Sequence, residues 1–479
     1  MNPIFTRSAC LMVLFVGFET LAAAAQPPDS VQSDFNGNTA MGLNALYSLT
    51  TGIENTAAGE QALSENTTGT SNTAFGNEAL GISTIASRNT AVGDLALLDN
   101  NGGDNTAVGA FVLRNNKSGV GNTAMGSAAL LANTTGSGNT AIGIQALYTN
   151  TTGSSNVAVG GGALFFNSTG AGLSAVGVDA LLSNTTGEFN TATGFGALYS
   201  NTTSGDNAAF GYQSLYTNTT GSANTATGYK ALYSNTTAID GVASGSFALY
   251  ANTTGNYNSA FGDEALLHNT IGSSNTAVGR NALYTSTTGS ANVAIGESAG
   301  SNLTTGSNNV DIANQGLAAD NGTIRIGAPS VQTATYVAGI IGTPVTGSAV
   351  YITANGRLGV LASSERYKTE ITPMGTRTDG LFELRPVSFH LKTEPNGPMQ
   401  FGLIAEEVAK VYPDLVIRDA AGTIQGVRYD ELAPMLLNEV RKEHKRFEDL
   451  QAQVQMMRRE LATLEHERAT STLAARVNP

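Results

Sequence analysis

The sequence predicts a mainly β protein: a β-solenoid shaft of sixteen 17-residue repeats, a β-rich connector, and a small α+β domain that ends in a coiled coil. Three observations lead there. A glycine recurs at Gly42, Gly59, Gly76, Gly93, Gly109 and onward to Gly296, and every spacing is 17 except the 16 between Gly93 and Gly109. An uninterrupted period of this length is a solenoid signature. The composition agrees: 56 glycines, no tryptophan and only 13% charged residues leave too few large apolar side chains for several deep cores, so stability has to come from backbone ladders and stacked small residues. Finally, charge is shared unequally along the chain. Ser363 to Pro479 carries 16 basic and 18 acidic residues, leaving 8 and 19 of the chain's 24 and 37 for the preceding 362 positions.

Taken in order, the chain opens with Arg7, an apolar run from Leu11 to Val16 that continues past Glu19 to Leu21, and Ala22-Ala23-Ala24-Ala25 before Gln26-Pro27. Basic, apolar and small residues in that order predict a signal peptide over residues 1–25, cut after Ala25. Its removal takes away Cys10, the single cysteine, and with it any disulfide or thiol chemistry. No later stretch has the run of about 18 apolar residues that a membrane helix requires. Export without a second anchor predicts a secreted, extracellular or surface-attached protein. A lead-in at residues 26–37 precedes the shaft.

The shaft, residues 38–300, reads N-T-A-x-G-x-x-A-L-x-x-N-T-T-G-x-x. Asn-Thr-Ala-x is strand-like, and the alanine two residues before each glycine is present in all sixteen repeats. Side chains alternate across a strand, so that alanine is expected to line the narrow interior. Met41, Phe75, Val92, Ile142, Val159, Phe210, Phe261 and Ile295 line the opposite face, which needs a cover; a neighbouring chain is the natural candidate. The Ala-Leu step is expected to form a second short strand and Asn-Thr-Thr-Gly a turn. Asn38, Asn55, Asn72 and Asn89 are expected to stack as an amide ladder. Coils one strand spacing apart make a shaft of about 75 Å. Triplets such as Asn66-Thr67-Thr68 and Asn133-Thr134-Thr135 match the glycosylation acceptor pattern, but their recurrence is better explained by turn chemistry.

These repeats resemble the head repeats of trimeric autotransporter adhesins, in which β-roll coils from three chains pack side by side. The 17-residue period is longer than the commonest one in those heads.

The connector, residues 301–361, holds β-rich runs at Asn309-Val310-Asp311-Ile312, Thr323-Ile324-Arg325-Ile326 and Ala334 to Ile341, and a hairpin turning at Asn355-Gly356. It delivers Ser363 on an extended strand. Ser363 and Lys368 are five apart, and a serine with a neutral lysine as its base is a sufficient pair for acyl transfer. Spacing alone favours a polar turn with a surface lysine, which could pair with a carboxylate, and Ser364 directly follows as an alternative nucleophile.

Downstream come Phe382-Glu383-Leu384-Arg385-Pro386, Phe401-Gly402-Leu403-Ile404-Ala405-Glu406-Glu407-Val408, Tyr412-Pro413-Asp414-Leu415 and Val427-Arg428-Tyr429-Asp430-Glu431-Leu432. This series closely resembles, over about Leu358 to Glu443, the C-terminal intramolecular chaperone of phage tail spikes such as endosialidases, also found in a membrane-bound myelin regulatory transcription factor, and places that domain at residues 362–440. Glu406 stands where glutamine is more usual. The resemblance implies a domain that trimerises, assists folding of the β-structure before it, and then cuts itself off. Ser363 would be the nucleophile, Lys368 its general base and Ala362-Ser363 the scissile bond. The chain would then be a fibre or adhesin-like homotrimer and a single-turnover serine peptidase. The competing reading is a structural or glycan-binding fibre whose last domain only trimerises.

Residues 441–468 are expected to form the coiled coil. Val440, Phe447, Val454 and Leu461 repeat every seven residues, with Leu436, Leu450, Met457 and Leu464 complementary and Glu443 the exception. The heptads leave the number of strands open; the resemblance favours three. A flexible tail is expected at 469–479. His268, His390, His444 and His466 lack metal spacing and no glycine-rich loop carries a phosphate-binding lysine, so neither metal nor cofactor is expected. The acidic balance disfavours nucleic acid, and the sparse carboxylates and missing tryptophan disfavour a glycan hydrolase.

Overall fold

The computed structural model describes residues 32–328, 331–337, 349–353, 356–419 and 421–477. The expected signal peptide and the turn residue Asn355 lie outside them, as do residues 338–341 of the third connector run. The chain divides into two compact units, meeting at Tyr336 and Val337.

In the first unit a 19-stranded sheet runs the length of the solenoid. Gln32–Ser33 pairs antiparallel with Thr39–Met41, and every later strand is parallel to the one before it, in register: Thr56 opposite Thr73, Ala57 opposite Ala74, Ala58 opposite Phe75. The short coil keeps that register, with Thr90 opposite Thr106, because its missing residue falls in the turn Asn100 to Asn105. The interior is narrow. From the second coil on, each strand alanine is almost wholly buried, as are Ala62, Leu63 and their equivalents. Such a core has room for little else, which is why alanine fills the strand position.

The glycine column follows from the same stacking. Gly59 to Gly279 hold φ between +130° and +147°, apart from Gly126 at +119°. At most of these positions a Cβ would also meet the carbonyl of the next coil's glycine, 2.3 Å away for Gly59 and Gly76.

The Ala-Leu step is not a strand. Leu63 has φ +51° and Gln61 +57°, and the pattern recurs in coil after coil. The reason is geometric: after the glycine the chain must turn back within a few residues, and left-handed residues let Gln61 N donate to Leu43 O of the coil before (2.8 Å) and Leu63 N to Ala79 O of the coil after (3.0 Å). A leucine held there costs about 1–2 kcal/mol. Complete burial of its side chain contributes about 2 kcal/mol and offsets that cost.

The expected amide ladder is present: Asn55 Nδ2 donates to Asn38 Oδ1 (3.1 Å) and Asn72 Nδ2 to Asn55 Oδ1 (3.1 Å). A second ladder, which the sequence reading took for plain turn residues, runs through the Asn-Thr-Thr-Gly asparagines. Asn133 Nδ2 donates to Asn116 Oδ1 (2.7 Å) and Asn150 Nδ2 to Asn133 Oδ1 (2.9 Å). Asn66 and Asn133 are therefore wholly buried, unavailable to a glycosyltransferase in the folded shaft. Where serine replaces asparagine the ladder breaks. Ser286 Oγ is buried without a partner, and so is Asn269 Oδ1, the acceptor the next coil should have filled. Ser286→Asn is expected to satisfy both and stabilise that end of the shaft by about 1–2 kcal/mol, read as a raised denaturation midpoint.

The outward face is apolar and uncovered within one chain. Met41, Phe75, Val92, Met125, Ile142, Phe210, Phe261 and Ile295 are all 37–46% exposed, whereas Val159 is half-buried and Thr193, Thr227 and Ser244 interrupt the row. Tyrosines also align. Tyr199, Tyr216, Tyr233 and Tyr250 stack at centroid spacings of 4.9, 5.3 and 5.2 Å, beside Phe195, Tyr212 and Tyr229 at 5.5 and 5.3 Å. Within each column the ring faces are used against one another.

The glycine column ends at Gly296, but the solenoid does not. Val310–Ile312 and Ile324–Ile326 extend the parallel sheet by two strands into the expected connector. At this end Asp311 occupies the alanine position, 1% exposed, and neither carboxylate oxygen has a partner. Opposite it, Arg325 makes a bidentate pair with Asp320 (2.5 and 2.7 Å). Burial, with the nearby Asp320 charge and against the pull of Arg325, pushes the Asp311 carboxyl up to about 6. A raised carboxyl favours the folded state when protonated, so its penalty is absent below about pH 4 and complete above about pH 6. The last coils are expected to lose at most about 3 kcal/mol across that window. Asp311→Ala should abolish the dependence, measured as melting temperature against pH.

In the second unit, Tyr351–Ile352 and Leu358–Gly359 form the expected hairpin. The helix α1 (Ala405–Val411), the hairpin Val416–Arg418 with Ile424–Val427, and the start of the helix α2 (Tyr429–Val477) enclose a small core of Val408, Leu415, Val416 and Val427. α2 continues unbroken past residues 440 and 468, so the helix reaches through the segment expected to be a flexible tail.

Candidate functional site

Ser363 follows the hairpin strand Leu358–Gly359 on an exposed segment. Ser364 is extended (φ −66°, ψ 143°), Glu365–Tyr367 make one 3-10 turn, and Lys368 is extended again (φ −118°, ψ 143°). Two bonds close the turn: Tyr367 N donates to Ser364 O (3.0 Å) and Lys368 N to Glu365 O (2.9 Å). The Arg366 guanidinium lies 4.8 Å from the Tyr367 ring centre. Ser363 and Lys368 thus flank a single tight turn, an arrangement the five-residue spacing foreshadows.

Within one chain the pair is not assembled. Every residue from Leu361 to Glu370 is exposed, and neither the Ser363 hydroxyl nor the Lys368 ammonium has a hydrogen-bond partner among the described residues. A lysine serves as base only where burial favours its neutral amine. One chain does not supply that burial here.

The domain does hold another hydroxyl against a lysine, and sequence reasoning missed it because the partners are 64 positions apart: Lys442 Nζ donates to Thr378 Oγ1 (3.1 Å). Chemistry disqualifies it as a nucleophile and base. Lys442 also donates to Asp379 Oδ1 and to Glu439 Oε1 (2.5 and 2.6 Å), and these carboxylates raise its pKa and hold it as an ammonium. Glu439, in turn, is held below the usual carboxylate range by Lys442 and Thr378. This cluster is a fastening.

Around the core, Arg385 and Glu407 form a bidentate pair (2.6 and 3.2 Å), and Leu403 N donates to Tyr429 Oη (2.8 Å). Both partners of each come from the motifs quoted from the sequence. The Glu406 side chain is exposed and has no hydrogen-bond partner among the described residues. Among the described residues no three His, Cys, Asp or Glu side chains gather as metal ligands, and no helix is long and apolar enough to cross a membrane.

No curated protein and no solved structure matches the chain. One family model does, a peptidase family described as the chaperone of endosialidase, and its match begins at Ser363 and ends at Ile417. It covers the proposed dyad, the Arg385–Glu407 pair and α1, and stops short of α2. Residues 363–417 are therefore similar to the family described as the chaperone of endosialidase.

Proposed function

We propose that the chain is an exported homotrimeric fibre whose C-terminal domain drives trimerisation and folding of the shaft and then releases itself by cutting Ala362-Ser363. The observation that carries this reading is the position of the family match, whose first residue is the one immediately after the proposed scissile bond. In the reaction, Ser363 Oγ adds to the Ala362 carbonyl carbon while its proton passes to the neutral Lys368 amine. The Ala362–Ser363 C–N bond then breaks and Lys368 returns the proton to the leaving nitrogen, leaving an ester on Oγ and a free amino group on Ser363. Water hydrolyses the ester to the Ala362 carboxylate and the Ser363 hydroxyl.

Exposure of the dyad in one chain supports cutting that waits for assembly, in which other copies would bury Lys368. The uncovered apolar faces of shaft and α2 supply surfaces on which those copies can meet. The full-length chain is expected to yield a 117-residue fragment with Ser363 at its N-terminus, and Ser363→Ala to stay intact. N-terminal sequencing checks the bond. Wild type that folds, trimerises and remains whole would favour the non-cleaving fibre instead.

A further inference from the structure

Lys368 is tethered to the domain by a short leash. Arg377 Nη1 donates to Thr372 Oγ1 (3.0 Å) and Pro373 O (3.5 Å), folding those residues back onto the next turn. Only residues 369–371 then remain free between Lys368 and the fold, a reach of about 10–14 Å. The fold they reach is the 3-10 helix Gly375–Glu383, fastened to α2 at one place. There, Thr378, 1% exposed, donates to Glu439 Oε1 and accepts from Asn438 Nδ2 (2.6 Å) and Lys442 Nζ (3.1 Å). Lys442 adds its bonds to Asp379 and Glu439, and Asn438 Nδ2 donates to Gly375 O (3.0 Å).

The helical period puts Asn438, Glu439 and Lys442 on a different face of α2 from Leu436, Val440 and Phe447, the apolar positions open to other copies. The fastening and the self-association surface therefore share the same turns of one rigid helix without competing for the same face. A partly buried ion cluster, with Glu439 buried and Asp379 exposed, is a poor source of net stability and a good way of fixing one geometry.

We propose that the Thr378–Glu439–Lys442 cluster is the positioning element for self-cleavage, setting the axial level at which associated α2 helices present Ser363 and Lys368. The proposal rests on the Ser/Lys reading given above. It assigns the cluster no contact with the reacting atoms: its effect passes through the leash to Lys368. Misplacing a reactive pair by about an ångström can cost a hundredfold in rate.

The test follows release of the Ser363 fragment from the full-length chain in wild type, Glu439→Gln, Lys442→Met, Lys442→Arg and Thr378→Val, together with trimer content by light scattering. Glu439→Gln, Lys442→Met and Thr378→Val are expected to form trimers yet release the fragment at least about tenfold more slowly. Lys442→Arg, which keeps a cation between Asp379 and Glu439, should restore release to within about twofold. Trimeric Glu439→Gln and Lys442→Met cutting at the wild-type rate would overturn the proposal. So would loss of trimers in all four variants, which would make the cluster a fold determinant only. An uncut wild type would instead overturn the Ser/Lys reading beneath it.

Discussion

Gly177→Ala is expected to split the shaft into two independently melting pieces. Gly177 has φ +139°, a region essentially closed to residues with a Cβ, and a Cβ there would lie 2.4 Å from the Gly194 carbonyl oxygen. The neighbour cannot yield, because Gly194 is itself stacked on Gly211 and so on down the column. Backbone strain and the forced separation of coils together cost about 3–5 kcal/mol. A solenoid coil touches only the coils before and after it, so the damage cannot be shared across the fold. Limited proteolysis with mass spectrometry should find a new cut between the strands Ser174–Val176 and Thr191–Thr193, with the material on either side protected. Gly121→Ala is the control: φ is +67°, but nothing lies within 4 Å of its Cβ, so about 1 kcal/mol and no new cut are expected. Equal proteolysis of the two variants would show that the glycine column is not what joins the coils.

That contrast marks how much of the shaft was legible in its residues. Gly177 and its fifteen equivalents are readable because every coil repeats one backbone constraint, and repetition turns a weak local signal into a period. The inward alanines and the first amide ladder follow from strand alternation. The Ala-Leu turn misled because leucine in a left-handed conformation contradicts local propensity, and only the packing between coils, which no single repeat displays, reverses that preference. Asp311 shows the opposite limit. In sequence it is one polar residue in a β-rich run, Val310-Asp311-Ile312; its burial appears only when the sheet is seen to continue two strands beyond the last regular repeat. Ser363 and Lys368 are proposed from motif order, and their five-residue spacing says nothing about what would bury the lysine. The Thr378–Lys442 fastening left no signal, since its partners come from segments more than sixty residues apart.

Replacing Phe447 and Val454 together by Asp should abolish both assembly and self-cleavage. From Glu443 to Leu473 every residue of α2 is exposed, and the apolar positions Phe447, Leu450, Met457, Leu461 and Leu464 are 56–61% exposed. A helix of this length gains nothing from its own domain beyond Lys442, and propensity alone leaves an unpacked helix marginal in water. Its apolar stripe repeats every seven residues, the spacing that winds helices around one another. Burying Phe447 and Val454 contributes about 2 kcal/mol per side chain, and in a trimer each position counts three times. Two carboxylates on that seam would meet their own copies at close range, where like charges without partners are costly. Association should fall by many orders of magnitude and helical circular dichroism with it. Fragment release should fall to the level of Ser363→Ala, although every residue of the match from Ser363 to Ile417 is intact. A double variant that stays monomeric and still cuts itself would place the burial of Lys368 within a single chain. One that remains trimeric would move the assembly surface from α2 to the apolar face of the shaft, where Phe210 and Phe261 would be the next positions to charge.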